Sequence, residues 1–332
     1  MKILGIESTC DETSVGIVED GSKVLSSVIS SSAALHIKYG GIVPEVAARE
    51  QVRLIVPVLE EALVKANSTL EDIDAIAVAY GPGLIGSLLV GVEASKSIAL
   101  SCNKPLIPVN HLVGHLYANW TDLQEVERPK FPLIALIVSG GHTDLILMKG
   151  FGEFKLIGAS RDDSAGEAFD KVSRALGEGY PGGPIIETLS SYVNSSSYKL
   201  PRPMLSSKDL DFSFSGLKTA VVNLVKNHKI TKTFKSEVAF EFQESVLEVL
   251  VKKTFDAVEK FQIDSVIVGG GVSANSKLRD VMTYESNRKN VKVFFPEKKY
   301  SGDNGVMIAT AAFFEKSFID PLILNANPSL HF

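Results

Sequence analysis

"PLIALIVSGGHTDLILM" (Pro132–Met148) decides the fold. The run Leu133–Val138 is apolar without alternation, as a strand buried on both faces is. A short polar turn with two glycines follows, and Thr143–Met148 runs back as a second strand. The opening of the chain has the same design: "KILGI" (Lys2–Ile6), the polar turn "ESTCDET" (Glu7–Thr13), then "SVGIVED" (Ser14–Asp20). We read the pair as a duplication of one strand–turn–strand unit with no detectable identity between the copies. Two unrelated hairpins remain the alternative on pattern alone.

Working outward, "KVLSSVI" (Lys23–Ile29) extends the first copy, and apolar periodicity over Val46–Ala66 predicts a long helix entered through Pro44. "DAIAVAY" (Asp74–Tyr80) reads as a buried strand feeding "GPGLIGSLLVG" (Gly81–Gly91) and a helix towards Leu100, and a histidine-bearing helix follows. Charge and two prolines break the pattern at "EVERPKFP" (Glu125–Pro132). Helices are predicted at Ser164–Leu176 and Phe234–Phe261, the latter with Val238, Phe242, Val246, Val249 and Leu250 on one face. "SVIVGGGVSANSKLRD" (Ser265–Asp280) is strand, triple glycine, helix; "VKVFFP" (Val291–Pro296) is a strand; "SGDNGVMIATAAFFEK" (Ser301–Lys316) is a capped helix. This alternation means an α/β protein with sheets covered by helices. "SYVNSSSYK" (Ser191–Lys199) reads as an exposed, mobile excursion.

The 332 residues suffice for two core-sized lobes. No run approaches the roughly eighteen apolar residues of a membrane span. The chain opens into a strand with no basic–apolar signal before it, which leaves only a cleaved presequence open. Cys10 and Cys102 are the two cysteines and lack C-x-x-C spacing, so a reducing cytosol is expected. The net charge of −5 argues against bulk attraction to nucleic acid but allows a local basic patch or a basic partner.

Several stretches carry chemistry. "ESTCDET" can grip a phosphate with backbone amides and hydroxyls, with Asp11 holding a metal beside it, or can be a polar hairpin turn. In "VSGGHTD" (Val138–Asp144) glycines let N–H groups approach an anion, while His142 either donates to it or bonds the turn. "VGGGVSAN" (Val268–Asn275) has the strand-to-helix geometry of nucleotide sites, yet neither a dinucleotide fingerprint nor a P-loop is present. In "DDSAGEAFDK" (Asp162–Lys171), helix capping by Asp163 or Ser164 accounts for the early acids. Asp170 lies beyond the cap and can accept from ligand hydroxyls, and "GYPGGP" (Gly179–Pro184) permits close backbone approach nearby.

"NHLVGHLYANW" (Asn110–Trp120) places His111 and His115 four apart, the spacing of helical metal ligands and also of merely structural pairs. Leu112 stands where an H-E-x-x-H peptidase has its water-activating glutamate. Asp303 is either a helix cap or a further ligand, and spacing alone does not connect it to the histidines.

The chain resembles the universal tRNA threonylcarbamoyltransferase family, once described as O-sialoglycoprotein endopeptidases. The resemblance covers essentially the whole chain. It rests on "GIESTCDETSVGIV", "YGGIVPEVAAREQ", "GPGLIGSLLVG", "NHLVGHLYA", "VSGGHTDL", "DDSAGEAFDKVSRALG", "YPGGP", "FSFSGLKTAV", "GGGVSANSKLR" and "SGDNGVMIA", in family order. The forms of the first two motifs are those of the bacterial and organellar branch.

The resemblance implies the fold of actin, heat-shock chaperone ATPases and sugar kinases: two duplicated α/β lobes around a nucleotide cleft. The lobes are expected at 1–130, completed by about 304–332, and at 131–303. It implies one divalent metal, with iron favoured by the resemblance and zinc also open, on His111, His115 and Asp303, the acid coming from the far side of the cleft. It implies an adenylate ligand on Ile137, Val138, Ser139, Gly140, Gly141, Asp170, Gly183 and Asn275, with Glu187 matching a further contact in some members. The ligand is threonylcarbamoyl-AMP; ATP, with Mg2+, or AMP can take the same site. The implied reaction moves the threonylcarbamoyl group to the exocyclic amine of the adenosine 3′ of the anticodon, in tRNAs reading codons that begin with A. Asp11 and Glu12 are the residues we expect to orient the incoming amine or a water.

Implied partners are tRNA, a paralogous actin-like scaffold and a small P-loop ATPase in bacteria, or a second copy in organelles, without a membrane. The implied place is the cytoplasm, or a mitochondrial or plastid matrix. Lys226, Lys229, Lys232 and Lys235 form the best local basic cluster, which is either a solvated face or part of the tRNA grip. A small-molecule kinase of the same superfold and a silent scaffold are the competing classes; neither has a use for the histidine pair.

Overall fold

The computed structural model describes residues 1–36, 39 and 41–332. Gly40 of the "YGGIVPEVAAREQ" motif lies outside the described residues. Two compact units emerge, Met1–Pro129 with Pro296–Phe332, and Lys130–Phe295.

In the first unit the continuous apolar runs form β1 (Lys2–Glu7) and β2 (Glu12–Glu19), and β3 (Lys23–Ser31) follows them antiparallel. After a single turn of helix, α1 (Ala33–His36), the long α2 (Pro44–Lys65) starts on Pro44, whose missing N–H is no loss at a helix start. Then come β4 (Ala75–Gly81), α3 (Ile85–Ser101), β5 (Leu106–Asn110) and the short α4 (His111–Tyr117). Strands β4 and β5 lie parallel to β1. The sheet order is β3-β2-β1-β4-β5.

The second unit repeats this scheme. It contains β6 (Leu133–Val138), β7 (Thr143–Gly150), β8 (Glu153–Ala159), α5 (Ala165–Ala175), α6 (Gly182–Ser190), α7 (Ser215–Asn227) and α8 (Lys232–Phe261). It closes with β9 (Ser265–Gly269), α9 (Ser276–Lys289) and β10 (Lys292–Phe294). Its sheet order is β10-β9-β6-β7-β8, with β6–β7–β8 antiparallel and β6–β9–β10 parallel. Read from the other end, every neighbour and every strand sense matches the first sheet. Unrelated hairpins would not share a whole sheet order, so the duplication holds.

The last helix, α10 (Gly305–Glu315), belongs to the first unit and crosses β1 and β2 at closest range. A Cβ on Gly5 would lie 2.2 Å from Gly305 O, one on Gly16 2.4 Å from Val306 N, and one on Gly305 2.3 Å from Gly16 N. Backbone meets backbone there, which only glycine permits. Tyr300 is buried in the same unit, its hydroxyl donating to Asp122 at 3.3 Å. The chain therefore rejoins the first unit at Pro296, before Asp303. Asp303, expected on the second lobe's side, stands on the same unit as the two histidines.

Each unit has its own core. Leu4, Ile6, Val15, Ile17, Ile76 and Val78 are among the residues filling the first, and Leu136, Val138, Phe169, Phe242, Val246 and Val268 among those of the second. Burying each such side chain stabilises by about 1.5–3 kcal/mol. The stretch Ser191–Lys199, expected as a free excursion, has no regular structure but is tied to α8. Ser197 N donates to Glu237 (3.1 Å), and Leu200 N just beyond donates to Glu241 (3.1 Å).

Candidate metal centre and glycine turns

Strand β5 ends at Asn110, whose Oδ1 accepts from Leu112 N at 2.9 Å and starts α4. One helical turn then sets His111 and His115 side by side, ring centroids 4.7 Å apart. Leu112 points into the core, 1% exposed. The position that carries a glutamate in a peptidase is here a packing residue.

Asp303 comes from the other end of the chain. The cap of α10 is Asn304, whose Oδ1 accepts from Met307 N at 2.9 Å, while Nδ2 donates to Gly302 O (2.7 Å) and Tyr300 O (3.2 Å). Gly305 N donates to Ser14 Oγ at 2.9 Å. With Asn304 as the cap, Asp303 is freed from that role. Its Oδ1 lies 3.1 Å from His115 Nε2 and 3.6 Å from His111 Nε2.

A metal fits these three residues. Their ligand atoms lie within 4.8 Å of one another. Ligands about 2.1 Å from a common ion stand roughly 3–3.5 Å apart. Among the described residues the buried His115 ring has no hydrogen bond of acceptable geometry at either nitrogen, despite its approach to Asp303. A lone pair and a carboxylate facing one point suit a cation between them better than a hydrogen bond.

Electrostatics point the same way. Glu7, Asp11, Glu12 and Asp303 crowd the site, and among the described residues none of them pairs with a lysine or arginine. Burial works to lower the His111 imidazole, but Glu7 and Asp303 raise it to about 9. Burial, with Asp303 and Asp11 nearby, pushes Glu12 up to about 10. Against burial that would raise it, His111 and His115 hold Asp303 at about 2. Burial and the surrounding carboxylates also push the Cys10 thiol well up. The cluster is short of positive charge.

The "ESTCDET" turn is clamped from below rather than free. Gln51 Nε2 on α2 donates to the carbonyls of Ser8 (3.2 Å), Cys10 (3.1 Å) and Glu12 (2.9 Å), and Ser87 Oγ donates to Cys10 O (3.0 Å). Asp11 is buried, and Glu12 accepts from Ser31 Oγ at 3.3 Å. Glu7 was not singled out by sequence. It is fully buried at the end of β1, and its Oε2 lies 2.9 Å from His111 Nδ1. An acid closing a buried apolar strand was the signal that could have found it, since a buried carboxylate demands partners.

In the second unit the glycine turns assemble around one another. The Ser139–His142 turn closes through Ser139 N to His142 O (2.9 Å) and His142 N to Ser139 Oγ (3.1 Å). Ser164, the cap of α5, accepts from Glu167 N and donates to Gly140 O at 2.7 Å. A Cβ on Gly270, at φ +92°, would lie 2.5 Å from Val138 O. Gly140, Gly141 and Gly183 have open space where a Cβ would be. Among the described residues the Gly140 and Gly141 amides donate to no protein acceptor. Ile137 and Val138 are buried in β6, which leads into the turn.

Three expected ligand contacts also have structural duties. Asp170 Oδ1 accepts from Gly182 N (2.7 Å) at the start of α6. Glu187 Oε1 accepts from Ser276 N (2.9 Å) at the start of α9. Asn275 caps α9 through Leu278 N (2.9 Å) and donates to Gln243 (2.9 Å). Of the basic cluster, Lys226, Lys229 and Lys232 are exposed at the α7–α8 connection, whereas Lys235 is bound to Glu178 at 2.7 Å.

Comparison with known proteins matches this picture. A profile of TsaD, tRNA N6-adenosine threonylcarbamoyltransferase, matches residues 23–310. The tRNA N6-adenosine threonylcarbamoyltransferases of Clostridium botulinum (strain Kyoto / Type A2) and Clostridium perfringens (strain SM101 / Type A) are each 47% identical, with 99% of this chain and 97% of each relative aligned. Full-length HypF in its phosphate- and nucleotide-bound form superposes with a TM-score of 0.61 at 14% identity, covering 95% of this chain and 55% of HypF. The activator of the 2-hydroxyisocaproyl-CoA dehydratase from Clostridium difficile gives 0.53 at 15% identity, covering 94% of both chains. At such identities these structures speak for the fold alone, the actin-like ATPase superfold. The profile match and the near-complete alignments settle the rest: the chain belongs to the tRNA N6-adenosine threonylcarbamoyltransferase family.

Proposed function

We propose that the chain transfers the threonylcarbamoyl group from threonylcarbamoyl-AMP to the exocyclic amine of the adenosine 3′ of the anticodon, with a metal on His111, His115 and Asp303. The acceptors are tRNAs reading codons that begin with A. As a member of this family the chain is a tRNA-modifying transferase. The observation that carries the metal-dependent reading is the approach of Asp303 to both imidazoles, beside carboxylates that among the described residues pair with no lysine or arginine.

The donor is a mixed anhydride with AMP as a good leaving group, and the adenine amine is a weak nucleophile. Nitrogen attacks the carbamoyl carbon, the bond from that carbon to the phosphate oxygen breaks with its electron pair leaving on AMP, and the amine's proton passes to water or to the released phosphate. Positioning and charge stabilisation therefore supply most of the rate. When bound, the metal supplies a Lewis acid and a template for the donor's oxygens. Two imidazoles and one carboxylate suit iron(II) or zinc. The open Gly140, Gly141 and Gly183 let backbone N–H groups meet the adenylate, with Asp170, Glu187 and Asn275 around it. ATP with Mg2+, or AMP, can occupy the same place. Asp11 and Glu12 orient the incoming amine. Burial, with Asp303 and Asp11 beside it, pushes the Glu12 carboxyl up to about 10, so its part is to orient the amine by hydrogen bonding. Leu112, buried in the core, leaves peptide hydrolysis without its general base.

Lys226, Lys229 and Lys232 are the local candidates for tRNA contact, and partner subunits carry the rest of the grip. The partners are a paralogous actin-like scaffold and a small P-loop ATPase, or a second copy of the chain in an organelle. Among the described residues no helix is long and apolar enough to cross a membrane. With tRNA as substrate and bacterial relatives, we place the work in the cytoplasm.

The test is tRNA modification with supplied threonylcarbamoyl-AMP, comparing wild type, His111→Ala, Asp11→Ala and Glu12→Ala, with metal content measured alongside. His111→Ala should lose metal and transfer together. Full transfer by metal-poor His111→Ala overturns the role of the metal, and unchanged rates in the acid variants remove the role of Asp11 and Glu12.

A further inference from the structure

The His111 ring has two nitrogens, and only one faces Asp303. Nε2 lies 3.6 Å from Asp303 Oδ1; Nδ1 faces the opposite way, 2.9 Å from Glu7 Oε2 and 3.2 Å from Thr9 Oγ1. Glu7 is 0% exposed and its other oxygen, Oε1, accepts from Thr9 N at 2.6 Å. Both carboxylate oxygens thus accept, and the one beside the ring needs a donor. That donor is Nδ1–H. A proton held on Nδ1 leaves the lone pair on Nε2, directed at the ligand position, since a neutral imidazole has one donor and one acceptor nitrogen.

We propose that Glu7 is a positioning residue: buried behind His111, it fixes the tautomer and plane of the ring and raises its basicity as a metal ligand. This rests on the metal reading above. Among the described residues His115 has no comparable partner, its Nδ1 being buried without a hydrogen bond, so the fixed half of the pair is His111. The turn geometry serves the same end. Glu7 ends β1, and Thr9, two residues on, both closes the carboxylate from its own amide and offers a second oxygen to Nδ1. Glutamine cannot replace this arrangement. It has one carbonyl oxygen for two N–H donors, and its own NH2 would face the other donor.

The test is Co2+ binding to metal-free full-length protein, read by competition with a chromophoric chelator and by the visible bands of the bound ion. Four proteins are compared: wild type, Glu7→Gln, His111→Ala and the double variant. Loss of an outer partner typically weakens metal binding about 10- to 100-fold. Glu7→Gln should fall in that range and shift the Co2+ bands. In the His111→Ala background it should add little, because Glu7 acts through that ring. Wild-type affinity in Glu7→Gln, or the same loss with and without His111, overturns the inference while leaving the metal site standing. Wild-type Co2+ binding by His111→Ala overturns the metal reading and this inference with it. If Glu7→Gln does not fold, Glu7→Asp carries the same expectation, one methylene too short to reach Nδ1, and Thr9→Val should give a smaller loss of the same kind.

Discussion

Asp303 Oδ1 stands 3.1 Å from His115 Nε2, yet among the described residues that nitrogen makes no hydrogen bond of acceptable geometry. The contact is the weak point of the metal-free molecule and the strong point of the metal-bound one. Asp303→Asn keeps the shape and removes the charge. It should weaken metal binding by more than the roughly 100-fold at which loss of an outer partner tops out, with chain folding retained. Metal content after dialysis, beside a circular dichroism spectrum, checks this.

Clearance along α10 yields a second prediction. A Cβ on Gly305 would lie 2.3 Å from Gly16 N and 2.4 Å from Gly5 O, both backbone, so α10 must move. A Cβ on Gly114, between the two histidines, would meet the side-chain atoms Ile308 Cδ1 (2.9 Å) and Met307 Cγ (3.2 Å), which can yield. Gly114→Ala should stay within the about 1–3 kcal/mol of an overpacked core and keep its metal. Gly305→Ala should lose metal although every ligand is intact. Thermal unfolding and metal analysis of the pair decide it.

Asp170 allows its structural duty and its proposed binding duty to be separated. Asparagine retains an acceptor for Gly182 N, and alanine does not. Asp170→Asn should leave the melting temperature near wild type. It should weaken AMP or ATP binding by roughly tenfold or more, as expected when a charged hydrogen-bond acceptor worth about 1.5–3 kcal/mol is lost. Asp170→Ala should lower both. Calorimetric titration with AMP and thermal melts give the two readouts.

Acid sensitivity should appear at Asp162. Burial acts to raise its carboxyl, but Ser213, Ser215 and the amides of Phe214 and Ser215 at the start of α7 outweigh it and hold it below the ordinary range. A carboxyl depressed on folding stabilises fully above its unfolded value, about 3.9, and that stabilisation fades as pH falls through the lower folded value. Asp162→Ala should cost about 0.5–2 kcal/mol at neutral pH, as lost caps do. Its gap from wild type should hold down to about pH 4 and narrow below. Melts across that range measure it.

Where a segment's burial is written in its composition, the sequence was a good guide. Strands β1, β4, β6 and β9 are unbroken apolar runs, and the turns between strands announce themselves by glycine and short polar residues. Strand β5 was missed because five residues containing Pro108 carry too little pattern. Strand β8 was missed because its edge position leaves it mostly solvent-facing, so its few apolar residues make no buried run. Helices α6 and α7 were missed because each opens on glycine or serine in stretches that read as turns. At the site, the spacing of His111 and His115 was legible, but the arrival of Asp303 depends on a helix crossing that no local pattern encodes. The duty of Glu187 at the start of α9 is equally non-local, set by a neighbour distant in the chain, as is the bond of Asn275 to Gln243, whereas the cap of Asn275 on Leu278 N is local.

The meeting of Gly5, Gly16 and Gly305 also determines how this enzyme would look in an exhaustive mutational survey. Adding one methyl group is the gentlest change a glycine can suffer, and at these three sites it should rank with erasing a histidine. A map coloured by sensitivity would therefore show a seam of inert, atom-poor positions as intolerant as the reactive ones. Anyone inferring chemistry from such a map would assign roles to residues whose sole contribution is to be absent.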